Sequence, residues 1–126
     1  MALTTVGRNL FAQAIVGDSF TAFNNSNARL GVGDSNTAFN VAHTDLQAST
    51  NRFRRVMEAT YPTRATNVLT FRSSFATGEA NFAWNEVGVF DAASAGNMLC
   101  RVVQSLGTKT SGVWVLTHEV TVAIGS

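Results

Sequence analysis

Chemistry in this chain would have to come from two histidines, one cysteine and eight acidic residues. Neither His43 nor His118 has a second His, Cys or carboxylate at metal-ligand spacing, so no metal site is expected. His118 falls on the apolar phase of a strongly alternating segment, which predicts a packed core histidine. Cys100 lies inside an apolar run and is expected to be a buried, inert thiol. A Cys100–His118 pair would require two neighbouring strands, and nothing local supports one. No catalytic residue and no cofactor are expected.

The other candidate motifs also read as structure. Gly31-Val32-Gly33-Asp34 lacks the third glycine of a dinucleotide fingerprint and the Gly-Lys-Ser/Thr ending of a phosphate loop. A strand running into a turn accounts for it. Arg52, Arg54 and Arg55 form the one basic cluster, but on a strand Arg54 faces away from Arg55, so no single basic face results. Phe71, Phe75, Phe82 and Trp84 lack the flanking cations of a nucleic-acid stacking platform and are expected in the core. Glu86 shares the strand phase of Phe82, Trp84 and Phe90. A carboxylate there needs an arginine or several backbone N–H groups as partners. No second carboxylate is spaced to make an acid–base pair. Trp84, Glu86, Gly88 and Phe90 are therefore assigned structural roles.

The elements that would hold these residues are one helix and a series of strands. Leu3, Val6, Leu10, Phe11, Ala14 and Ile15 recur at three- and four-residue steps, predicting a helix over about 3–16 capped by Thr4 or Thr5 and closed at Gly17. From Ala28 to Ile124 the period is mostly two. Candidate strands cover Ala28–Gly33, Arg52–Tyr61, Val68–Phe75, Asn81–Phe90, Met98–Leu106 and Val113–Ile124. The last is the clearest, with Trp114, Leu116, His118, Val120, Val122 and Ile124 on one face. The expected fold is mainly β: an antiparallel β-sandwich of about six strands over about 28–124, with one N-terminal helix, in a single domain spanning 1–126.

Composition narrows the functional class. Charged residues are only 13% of the chain and the net charge is +1, which gives no reason to expect a nucleic-acid or membrane partner. The polar surface must come from 15 Thr, 11 Asn and 10 Ser, a neutral coat suited to packing against neighbours. No apolar run approaches the roughly 20 residues of a spanning helix. No basic region precedes an apolar stretch at the N-terminus, so a secretory leader is not expected.

An ordered set of motifs carries a resemblance. The helix opens Leu3-Thr4-Thr5-x-Gly7, and Leu30-Gly31-Val32-Gly33-Asp34 and Thr44-Asp45-Leu46 follow. Next come Trp84-Asn85-Glu86-Val87-Gly88-Val89-Phe90 and, after a Gly-containing turn, Met98-Leu99-Cys100-Arg101. In this order the chain resembles small tailed-bacteriophage virion structural proteins of the tail-fibre type. It is similar, more distantly, to the N-terminal attachment domain of tail-collar fibres. The resemblance implies a docking module of the virion, assembled in the host bacterial cytoplasm. Shaft repeats and a receptor-binding tip are missing from the pattern, so an adaptor in the tail or baseplate is expected rather than an entire fibre.

Two other readings stand beside it: a capsid decoration protein that stabilises the head, and a carbohydrate-binding sandwich with Trp84 or Trp114 as the stacking ring. The expected partners are the chain itself, as a homotrimer or higher symmetric assembly, and another virion protein of the tail, baseplate or capsid. Loops Asp18–Asn27 and Asp34–Ser49 are nearly uncharged yet carry Phe20, Phe23, Phe39 and Val41. With Arg52, Arg54 and Arg55 these are the expected interface residues.

Overall fold

The computed structural model describes residues 3–123. Thr4 caps the single helix, α1 (Thr5–Val16), its hydroxyl accepting from the Gly7 N–H at 2.9 Å. Gly17, at φ 80°, closes the helix in the left-handed region. The helix is less central than its pattern predicts. Leu10 is buried and Phe11 packs on the core, but Ile15 is 86% exposed. The seam is narrow because the backbone at Gly7 lies hard against the Leu99 carbonyl, leaving no room for a side chain there. Contact is concentrated near that point, so the far end of α1 projects into solvent.

Among the described residues seven strands form two antiparallel sheets, one strand more than the pattern predicts. The first sheet runs β2 (Arg52–Val56), β1 (Arg29–Gly33), β5 (Glu86–Phe90), β6 (Met98–Val103). The second runs β3 (Thr63–Ala65), β4 (Val68–Phe75), β7 (Trp114–Thr121). The unpredicted strand is β3, three residues too short to show a period. Between the sheets lie Leu30, Val32, Phe71, Phe75, Trp84, Val87, Val89, Cys100 and Val120. The sandwich is therefore as expected, with β1 and β5 at the centre of the first sheet.

Four strand boundaries move inward by three residues or more, among them the end of β6, at Val103 instead of Leu106. β2 ends at Val56 instead of Tyr61, because the Glu58 N–H turns to the Arg72 carbonyl at 2.8 Å and Thr60 takes φ 73°. β5 begins at Glu86 instead of Asn81. Residues 81–85 leave the strand path to bond the 106–109 segment: the Trp84 N–H donates to Gly107 O and the Leu106 N–H donates to Trp84 O, each at 2.8 Å. β7 ends at Thr121. Val122, expected inward, is 47% exposed, and Ile124 lies outside the described residues.

The second face of the first sheet is also covered. Gly31 of β1 stands opposite Gly88 of β5, and this bare floor admits the Phe90 ring and the Leu46 side chain. Leu46, Phe90 and Met98 form a second, small apolar cluster there. Its cover is the irregular segment 34–49. That segment has no ladder of its own, so something else must hold it down.

Candidate functional site

The alternation of the first sheet sends Val87 and Val89 into the sandwich and Glu86, Gly88 and Phe90 to the opposite face, under segment 34–49. On β6, Arg101 is registered with Gly88 and shares that face. Arg101 Nε donates to Glu86 Oε1 at 2.7 Å, and both side chains are 0% exposed. The same carboxylate accepts two backbone N–H groups, Gln47 on Oε1 and Ala48 on Oε2, each at 2.8 Å. Arg101 Nη1 donates to the Thr37 carbonyl at 2.9 Å and lies 3.5 Å from His43 Nδ1. Both ends of the covering segment are thereby fastened to one buried ion pair. Gly33, registered with Glu86, is the space the carboxylate occupies.

A second arginine completes the clamp. Arg54, paired in register with Gly31, lies over the Phe90 ring with its guanidinium carbon 3.6 Å from the centroid. It also donates to the Ala92 and Ala95 carbonyls at 2.9 Å and to Asp45 at 3.2 Å. Arg54, Gly31, Gly88 and Arg101 therefore make one row across the sheet. Such a row can hold a loop in a single conformation. Each carboxylate and guanidinium of the row has partners inside the chain, although Arg101 Nη2 is itself buried without one.

The sequence pattern placed Glu86 beside Phe82, Trp84 and Phe90, and the structure corrects this. Phe90 does share its face, but Trp84 lies in the main core with its Nε1 donating to the Ala80 carbonyl at 2.9 Å. The departure of residues 81–85 from the strand path reverses the phase. The partners inferred for Glu86, an arginine and backbone N–H groups, are both present. Arg101 itself was missed, hidden in a segment that reads as apolar on both sides. The available signal was a lone cation on a strand that must neighbour β5 across a short turn. Lys109 was missed as well. Fully buried, its Nζ donates to Ala76 O and Asn81 Oδ1, both at 2.8 Å, and thereby holds the 76–81 turn.

Cys100 and His118 do meet, across the sandwich rather than between paired strands. Sγ and Nε2 are 3.9 Å apart. Burial pushes the Cys100 thiol up to about 12 and lowers His118 below its ordinary value. Both shifts disfavour the thiolate–imidazolium form that a cysteine nucleophile requires. Among the described residues no group of three His, Cys, Asp or Glu side chains comes together to hold a metal.

The expected interface residues divide into two groups. Phe20 (42% exposed) and Val41 (43%) stand outward on their loops. Phe23 packs against the core, Phe39 is half-buried with its ring edge-on to His43, and Arg54 is engaged as described. Arg52 bonds Asp45 at 3.4 Å, and Arg55 bonds Glu79 at 3.3 Å and the Ser74 carbonyl at 3.0 Å. Between α1 and the second sheet runs an apolar groove of about 490 Å³, walled by Leu10, Phe11, Phe20, Phe23, Phe71 and Leu99. Comparison with protein-family models gives no match, and comparison with curated proteins gives none.

Proposed function

We propose that this protein is a non-enzymatic structural component of a bacteriophage virion that self-associates and docks on another virion protein, most naturally in the tail. The observation that carries the reading is the clamp. Residues Glu86 and Arg101 hold a long loop without secondary structure in one conformation, and that loop carries Val41 outward. A binding surface that is ordered before contact loses less conformational entropy on association, which favours assembly. The exposed Phe20, Ile15 and Val16 beside the apolar groove extend the same argument to the helix end.

The remaining chemistry supports the reading. Glu86 and Arg101 are spent on each other and on backbone groups, and the Cys100 thiol is held protonated. Trp84 and Trp114 meet edge-to-face, with ring centroids 5.0 Å apart and planes at 67°, so an indole face that a sugar would need is covered by the other ring. The virion context itself rests on the ordered motifs from Leu3 to Arg101. Density-gradient purification of particles from an infected host tests it: the protein should co-sediment in fixed copy number, and particle images should place it at the tail. Recovery at the head would favour the decoration role. Recovery only in the soluble fraction would overturn the proposal.

A further inference from the structure

Of the four outer strands in the two sheets, three are protected. The free side of β6 is met by the N-terminal segment, where Leu3 bridges Cys100 and the Thr4 N–H donates to Leu99 O at 3.1 Å. Beyond β2, Glu58 N–H and the Arg55 side chain bond β4 carbonyls. β3 is three residues long and preceded by Pro62, which has no N–H to offer. β7 has none of these devices over eight residues.

The register defines what β7 leaves open. Val122 N–H donates to Asn67 O at 2.9 Å, so the bonded pairs with β4 step by two through Val120, His118, Leu116 and Trp114. The N–H and C=O groups of Val115, Thr117, Glu119 and Thr121 therefore point away from β4. Among the described residues they have no backbone partner. All four residues are exposed, and Val115 is 48% exposed. No lysine, proline or bulge blunts this edge.

We propose that β7 is the edge on which a second copy of this chain pairs, antiparallel about a two-fold axis at His118, making one six-stranded sheet. The inference deepens the self-association part of the proposed function and rests on it. Charge and register single out both the occupant and the alignment. With His118 opposite its own copy, Val115 meets the partner's Thr121 and Thr117 meets the partner's Glu119, so all four open residues pair. Glu119, the strand's one formal charge, then faces a hydroxyl. A shift that centres the axis on Glu119 sets two carboxylates opposite each other, and one that centres it on Thr117 leaves Thr121 outside the strand pairing. On the inner face Leu116 meets the partner's Val120, and Trp114 meets the partner's Val122, which covers that exposed side chain.

Sedimentation equilibrium of the purified full chain tests the pairing. The parent should be a dimer. Thr117→Pro should be a folded monomer, because it removes an N–H that β4 does not use. Thr117→Glu places like charges across the seam twice and should weaken dimerisation about tenfold, whereas Thr117→Lys, facing the partner's Glu119, should not. A parent that stays monomeric, or Glu and Lys variants that behave alike, would overturn the edge or its register. Should Thr117→Pro not fold, the Glu and Lys variants decide alone. Particle co-sedimentation is a separate readout: a monomer found in particles sinks only the pairing, and a dimer missing from particles sinks only the virion role.

Discussion

Arg101 and Glu86 meet at 2.7 Å with both side chains fully buried, on the face of the first sheet that points away from the main core. Charges are rarely taken out of water in this way unless their hydrogen bonds are met. Here the carboxylate has three donors, and the pair draws Thr37, Gln47 and Ala48 onto the sheet. Removing either partner leaves the other charged and buried. Glu86→Ala should therefore cost about 3–5 kcal/mol in urea unfolding, and Glu86→Gln less, since an amide oxygen still accepts one N–H. A double replacement of Glu86 and Arg101 by apolar residues should cost less than the sum of the two single changes. Additive losses would show that the two side chains act separately.

Gly33 tests the same geometry from the other side. A methyl group at this position would overlap the Glu86 carboxylate, which is held on three sides. Gly33→Ala should destabilise by about 1–3 kcal/mol. Gly78, whose added methyl would meet open space, is the control and should tolerate alanine.

The Cys100 thiol, pushed up to about 12 by burial, should resist a disulfide-exchange reagent at pH 8 in the native protein. Full reaction is expected in denaturant, followed by absorbance of the released thiolate. Rapid native labelling would mean that the two sheets open readily.

His118 sets a pH dependence. Burial lowers its value in the fold below the ordinary 6.5, so the unfolded chain binds the proton more readily. Stability from this group is complete above about 6.5 and is lost as pH falls from there toward the folded value. The melting temperature should drop over that interval, and His118→Gln should flatten the drop.

Phe20 and Phe23 should separate assembly from folding. Phe20→Ser and Val41→Ser alter exposed side chains and should change stability by no more than about 0.5 kcal/mol while reducing incorporation into particles. Phe23→Ser removes a ring packed on the core and should lower the melting temperature directly. If Phe20→Ser instead melts early, its ring belongs to the subunit core.

The strand content, the single helix with its Thr4 and Gly17 ends, and the inward faces of β4 and β7 were legible in the chain itself. Each is a local matter, set by capping chemistry or by an alternation that one segment displays alone. The buried role of Cys100 followed from its apolar neighbours for the same reason. The position of Trp84 did not, because residues 81–85 take their path from hydrogen bonds to the 106–109 segment, which no local period records. Ile15 was misplaced because a helix stripe says which side is apolar but not how far the sheet beneath it extends. Arg101 and Lys109 were hidden because a cation can be buried only where distant carbonyls or a carboxylate converge on it. That convergence exists only when β5, β6 and the loops are assembled, so the partner chemistry of Glu86 could be inferred from sequence while its partner's identity was decided by the fold.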